Sequence, residues 1–459
     1  MGTSQGLDAT LFRAAPPLPP MRSLALAGLL LGALLAGCAG SNPPASSTTL
    51  PPTVPLAAFT AVRSVVSDAA GSGEPSMGVT ADGALFTVVR SNVFASRDNG
   101  ATWKDLGNPS PNIPNLDPDL AVGVDGTVWE SRDYVGCVAV AVSRDQGATW
   151  SSNPLVCPGT VLDRQYVIPT KEGTAYLYAH QIGSQQQLAS KTTDYGRTWL
   201  PLPPPEGVGH LALVNGGSGW GGGGFWDPVH DAVYFTFNYD EGQPATLLAS
   251  KAHAGYSVSR DGGQTWQLGF AGDLDGAQLG LGLVTGAVDD AGNAYLTWGE
   301  ALGATQQEIA IYVAASKDGG QTWLPKVRVD SGTGSKVFPI ATAGQPGKVA
   351  IAYYEGSKPG YPDQMDGTWN VTLAWTDDLF APNATFHHGT LAEAVKKGPI
   401  CISGTTCQGG REFLDYFDAV RMPDGRVAAT YNLLKEDGKT LRNGFAMTAS
   451  PLLGPHGAP

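Results

Sequence analysis

Ser96 to Trp103 reads SRDNGATW, and four near-copies follow: SRDQGATW at Ser143–Trp150, TTDYGRTW at Thr192–Trp199, SRDGGQTW at Ser259–Trp266 and SKDGGQTW at Ser316–Trp323. A turn repeated five times in one register implies an array of equivalent structural units rather than one irregular domain. Its composition suits a tight polar turn. Asp accepts hydrogen bonds from nearby backbone N–H groups, Gly takes a conformation other residues avoid, and Trp packs between layers.

Each turn closes a longer unit. The second unit runs LDPDLAVGVDGTVWESRD, then CVAVAVSRDQGATW. A DG pair between apolar runs is a hairpin signal, so one unit predicts four antiparallel strands. EPSMGVTADGALFTVVR opens the first unit and DRQYVIPTKEGTAYLYAHQ the third. GFWDPVHDAVYFTFNYD and GLVTGAVDDAGNAYLTWGE open the fourth and fifth. VFPIATAGQPGKVAIAYYEG and DYFDAVRMPDGRVAATYNLL open two more that lack the complete turn. Four-stranded units about 45–65 residues apart predict an all-β propeller, in which stacking covers the faces that one blade cannot bury alone. Seven blades are expected, with six as the alternative, and Phe59–Val66 is placed to complete the seventh. Among the 459 residues, Leu391–Gly398 is the one stretch whose apolar spacing suits a short helix.

The net charge is −13 and no Lys/Arg run occurs, which excludes nucleic acid as an expected partner. Met21–Cys38, MRSLALAGLLLGALLAGC, has the basic start, apolar middle and small-residue end of a secretory signal. Its close, Leu35-Ala36-Gly37-Cys38, resembles the lipobox of prokaryotic lipoproteins. That resemblance implies lipidation at Cys38 and an exported chain held to the membrane by its lipid anchor only. The signal region therefore covers residues 1–37. Residues 1–20 fit no signal and read as sequence upstream of a start at Met21. Residues 38–58 read as a Ser/Thr/Pro-rich tether, 59–450 as the propeller and 451–459 as a C-terminal tail. Export permits disulfides, and proximity pairs Cys137 with Cys157 and Cys401 with Cys407. A metal site is the rival for these cysteines, but no CxxC spacing supports it.

The five octapeptides are similar to the Asp-box, S/T-x-D-x-G-x-T-W, of BNR-repeat proteins, a group that includes sialidases, related glycosidases, sortilin-type receptors and photosystem assembly propellers. The resemblance covers most of residues 70–450. It implies that the box lies at the periphery, between a blade's third and fourth strands, and that Asp98, Asp145, Asp194, Asp261 and Asp318 are structural.

Propeller ligands sit at the mouth of the central channel, lined by the inner strands and the segments leading into them. Read by position in the units, those segments offer Glu74, Asp117 with Asp119, Asp163 with Arg164, Trp226 with Asp227, and Asp415 with Asp418. Arg411 and Glu412 precede the last pair, and Tyr166, Trp298, Tyr353 and Tyr416 could add aromatic surface. Glu74, Asp117, Asp163 and Asp415 are the catalytic candidates. Arg164, Tyr166, Trp226, Arg411 and Asp418 are the ligand-binding ones. Converging carboxylates can act as acid and base on a glycoside, coordinate Ca2+ through oxygen, or simply bond the neighbouring blade. For Asp163 and Arg164 a local ion pair is expected. No other cofactor is called for.

The sialidase comparison has departures. No F/Y-R-I-P motif is present, since YVIP at Tyr166–Pro169 lacks the Arg, and no arginine triad can be assigned among Arg90, Arg132, Arg164, Arg411 and Arg421. Seven units also exceed the six blades of sialidases. GGSGWGGGGFW at Gly216–Trp226 lacks the Lys-Ser/Thr of a phosphate loop and reads as a flexible lead into blade four. The expectation is a monomeric, surface-anchored propeller binding a glycan or a surface protein at its axial face. An exo-acting glycoside hydrolase and an assembly scaffold are the alternatives.

Overall fold

A computed structural model describes residues 59–456, apart from 68–70, 72, 114–116, 135, 154, 158–161, 182–186, 206–220, 241–251, 275–282, 303–307, 403–408 and 436. Cys38, Cys407, the signal region and the tether lie outside the described residues. So does the side chain of Asp163, although its backbone is placed.

Seven four-stranded antiparallel sheets form seven blades. Their inner strands are Met77–Val79, Asp119–Val122, Leu162–Pro169, Gly221–Asp227, Thr285–Val288, Lys336–Ala343 and Asp418–Arg421. In blades 1 to 6 the strands follow one another outward. Blade 7 is closed by Thr60–Val65, which pairs with Leu441–Thr448 through Arg63↔Ala446 and Ser64↔Phe445. The first and last strands of the ring thus share one sheet, as Phe59–Val66 predicts. Among the described residues the helical content is one short turn, Pro362–Gln364.

The outer strands differ in length. Those of blades 1, 2, 3 and 5 have two residues, whereas Gln267–Leu274 in blade 4 has eight and His387–Lys397 in blade 6 has eleven. The last of these corrects the helix expected at Leu391–Gly398. Two register shifts against Trp369–Thr372 and a left-handed Ala394 (φ 49) break its two-residue alternation, so its apolar spacing mimics a helical period.

All five boxes make the same turn. In the fourth, Asp261 Oδ1 accepts from Thr265 N at 2.9 Å and from Ser259 Oγ at 2.9 Å, and Oδ2 accepts from Thr265 Oγ1. Ser259 Oγ in turn accepts from the buried Gly263 N at 2.8 Å. Gly263 has φ +92, and a Cβ there would sit 2.5 Å from Leu202 of the preceding blade. The box is therefore a wedge at the seam between blades. Trp103 extends this around the ring closure by packing edge-on to Phe445 of blade 7 and donating to Ser64 Oγ at 3.1 Å. Asp98, Asp145, Asp194 and Asp318 repeat the contacts of Asp261 at the rim.

Cys137 and Cys157 are disulfide-bonded around the second box. Cys401 is buried and disulfide-bonded as well. At the far end of the channel the C-terminal segment crosses beneath blades 5 to 7. Leu453 is fully buried, Gln345 N donates to Leu453 O, and Arg421 pairs with Asp290 while donating to the carbonyls of Gly454 and Pro455.

Candidate functional site at the axial mouth

The inner strands share one register against their neighbours. Met77, Leu120, Val167, Gly224, Gly286, Ala341 and Ala419 face Thr87, Glu130, Leu177, Phe235, Leu296, Ile351 and Ala429. The residue before each of these forms a ring nearer the mouth: Ser76, Asp119, Tyr166, Gly223, Thr285, Ile340 and Asp418. All seven line a channel of about 480 Å³. The ring has two unlike halves. Blades 7, 1, 2 and 3 contribute Asp418, Ser76, Asp119 and Tyr166, a polar arc. Blades 4, 5 and 6 contribute Gly223, Thr285 and Ile340, a smaller and largely apolar arc.

Much of the polar arc also ties blades together. Ser76 Oγ donates to Asp119 Oδ1 at 2.9 Å and accepts from Leu120 N at 3.1 Å. Asp119 Oδ2 accepts from Val167 N at 2.8 Å, and Asp418 Oδ2 accepts from Met77 N at 2.9 Å. These bonds run from blade 7 through 1 and 2 to 3. Burial, which outweighs them, pushes Asp119 up to about 6 and Asp418 up to about 7.

One layer further out lies a charged cluster. Arg164 sits on a bulge of its strand at φ 54, with its side chain 2% exposed. Its Nη2 meets Glu74 Oε1 at 3.0 Å and also reaches Asp415 Oδ2. Arg411 grips Asp415 with both terminal nitrogens, Nη2 to Oδ2 at 2.9 Å. Glu74 Oε1 also accepts from Asp415 N at 3.1 Å, closing the cluster. The Arg164 guanidinium lies 5.4 Å from the centre of the Tyr416 ring, which is 6.0 Å from that of Tyr166. Burial opposes ionisation of Asp415, but Arg164 and Arg411 overcome it and hold its carboxyl below the usual carboxylate range. One guanidinium nitrogen touching both carboxylates puts Glu74 and Asp415 within about 6 Å of each other, two hydrogen-bond lengths.

The remaining predicted residues fall elsewhere. Asp117 stands at the mouth at φ 32, and its carbonyl accepts from Gln165 Nε2. Asp163 is on the mouth end of its strand, opposite His180. The ion pair expected between Asp163 and Arg164 involves a side chain outside the described residues; Arg164 itself pairs with Glu74 and Asp415 of blades 1 and 7. Trp226 and Asp227 end their strand and lie at the opposite end of the channel. There Asp227 accepts from Val229 N and His230 N and pairs with His230 Nδ1 at 2.6 Å. The Gly-rich segment before them is not all loop, because Gly221–Asp227 is the inner strand itself. A Cβ on Gly222 would fall 1.7 Å from the carbonyl oxygen of Val284. Trp298 and Tyr353 are fully buried between strands and offer no surface. Glu412 pairs with Lys396 at 2.7 Å beside the cluster. Among the described residues no group of three His, Cys, Asp or Glu is arranged to hold a metal ion.

Ser76, which lines the channel, and Gln165, which bonds the Asp117 carbonyl, are not among the residues expected from the sequence. The signal was available for Ser76: Glu74-Pro75-Ser76 and Asp117-Pro118-Asp119 occupy the same three positions in consecutive units.

A family model described as BNR/Asp-box repeat matches residues 257–268, the fourth of the turns. The chain is a seven-bladed β-propeller that carries a BNR/Asp-box repeat. Among solved structures, this propeller is similar to an ulvan lyase of polysaccharide lyase family PL25, with a TM-score of 0.54 and 11% identity over 86% of this chain and 96% of that chain. It is also similar to the α-L-arabinanase of Penicillium chrysogenum complexed with arabinobiose, with a TM-score of 0.43 and 12% identity over 85% and 96% of the two chains. For the Hadza microbial sialidase Hz136 the TM-score is 0.43, at 16% identity over 80% and 73%. At such identities the likeness is one of fold. A comparison with curated proteins returns no match.

Proposed function

We propose that this propeller is an exported, lipid-anchored protein that binds a glycan at its axial mouth. The observation that carries the reading is the split ring around a channel of about 480 Å³, with polar side chains on one arc and small or apolar ones on the other. Small-ligand sites combine apolar walls with a few placed polar groups, and a volume of this order accommodates one or two sugar units. A sugar ring has the matching duality of hydroxyl edges and C–H faces. A polysaccharide lyase is among the proteins of similar fold, so a carbohydrate-active propeller stands among its neighbours.

Hydrolysis is the second reading, and one observation favours it. Glu74 and Asp415 share one guanidinium nitrogen and so lie within about 6 Å, a range that includes the spacing of a retaining carboxylate pair, while Asp119 and Asp418 are pushed towards the protonated form beneath them. Against it, both outer carboxylates are held by arginine, and both inner ones already accept backbone N–H groups of the next blade.

A glycan array and a panel of chromogenic glycosides, run on the same preparation, decide between the two. Arg411→Ala is the cleanest variant, since its guanidinium is 31% exposed and holds Asp415 from outside. We expect a loss of at least about tenfold in affinity for the array's hits, equivalent to about 1.4 kcal/mol, with little change in melting temperature. Unchanged affinity would remove the mouth from the reading. Turnover of a glycoside by the wild type, lost in the variant, would replace binding with hydrolysis.

A further inference from the structure

We infer that the mouth selects an uncharged saccharide and discriminates against glycans bearing a carboxylate. The inference rests on the glycan reading and names the class of ligand within it.

The cationic charge of the cluster at the mouth is already spent on carboxylates. Arg164 is almost wholly buried and lies between Glu74 and Asp415. Arg411 is clamped along one edge by the same Asp415. Lys396, beside them, faces Glu412. Two guanidinium groups and two carboxylates cancel, and Asp117 adds one more acidic residue at the mouth. An incoming carboxylate would have to displace Asp415 from its arginines or share a guanidinium already neutralised. Displacement would leave a largely buried carboxylate without its partner, which is strongly unfavourable. Sharing would place two anions within a few ångströms in a poorly solvated pocket.

Hydroxyl groups meet no such obstacle. A carboxylate has about four lone-pair sites and a guanidinium five N–H donors, so an Arg–Asp pair engaged along one edge retains donors and acceptors on its other edges. The exposed edge of the Arg411–Asp415 pair, with side-chain exposures of 31% and 19%, presents a donor beside an acceptor. Two neighbouring sugar hydroxyls match that arrangement without breaking the ion pair. Across the channel, Gly223 and Ile340 can receive the C–H face of the ring.

The test uses matched pairs on the full-length wild type: lactose against sialyllactose, xylo-oligosaccharides against their glucuronate-branched forms, and galactose oligomers against oligogalacturonate. Each is titrated at low and at high salt. The expected result is binding to neutral members, at least about tenfold weaker binding to their acidic counterparts, and affinities that salt barely changes, as exposed charge attraction would be screened. Preference for the acidic members, with affinity falling as salt rises, would overturn this inference and leave the glycan reading standing. Binding to no saccharide in either series would overturn both. Asp415→Asn supplies a further readout. It removes the charge that neutralises Arg164 and Arg411, so in the folded fraction it should shift preference towards the acidic member of each pair, and a variant that keeps the wild-type preference would count against the charge argument.

Discussion

In the Asp-box the aspartate gives the motif its name, yet the contacts assign the larger share of stability to the residue two before it. Ser259 is 2% exposed, and its Oγ is the acceptor for the buried Gly263 N–H at 2.8 Å. Ser259→Ala leaves that N–H without an acceptor, in a turn wedged against Leu202 of the preceding blade. An unsatisfied buried donor costs about 1–3 kcal/mol. Asp261→Ala removes the acceptor of Thr265 N, Thr265 Oγ1 and Ser259 Oγ, but Thr265 is exposed so water can replace its two bonds, and the Ser259 hydroxyl can rotate while still accepting from Gly263 N. That leaves a net loss nearer 0.5–1 kcal/mol. For a ring of this size the usual unfolding entropy per residue converts each kcal/mol into about 1–2 °C. Thermal melting should therefore show a drop of about 1–6 °C for Ser259→Ala and a smaller one of about 0.5–2 °C for Asp261→Ala, with ligand titration of the folded protein unchanged in both. A larger drop for Asp261→Ala than for Ser259→Ala would refute the assignment. So would any loss of binding at unchanged stability.

Stability should peak in mildly acidic solution. Burial raises Asp119 to about 6, and Asp418 and Glu130 to about 7, so the folded chain keeps protons that the unfolded chain releases and stability falls as pH rises from about 4 to 7. Asp98, Asp145 and Asp261 are lowered to about 2, first by the Thr hydroxyl of each box, so their contribution is lost as pH falls from about 4 to 2. A melting temperature still climbing between about pH 5 and 8 would contradict this. For the anchor, mass spectrometry of membrane-extracted protein should find a mature chain beginning at a lipidated Cys38; an unmodified Cys38, or normal retention of Cys38→Ala, would remove that proposal.

The parts legible in the sequence are those where one residue type has one physical use. Five boxes announced the blades because Ser/Thr, Asp, Gly and Trp each serve one contact of the turn. Phe59–Val66 was readable as the missing strand because the seventh unit lacked an outer one. The errors arose where side chains carry no periodic signal. Gly221–Gly224 looks like loop because a strand without side chains has no alternation, and this displaced Trp226 and Asp227 to the wrong end of the channel. The bulged strand His387–Lys397 imitates a helix. The Glu74–Arg164–Asp415 cluster could not be assembled from spacing, since it joins blades 1, 3 and 7. Its formation also changes what Asp415 can test. Because that carboxylate neutralises a buried arginine, replacing it with Ala should cost stability as well as affinity, which makes Arg411 the better probe of the mouth.

The closure of blade 7 sets the order of events during synthesis. Thr60–Val65 is among the first parts of the propeller to be made, and its partner Leu441–Thr448 is among the last. Until that partner emerges, blades 1 to 6 can form only an open arc with an uncovered face at each end. The nascent chain must therefore wait with apolar sheet surface exposed, the condition in which partly folded chains aggregate. A ribosome stalled short of residue 441 would not release a slightly smaller propeller. It would release an unclosed one.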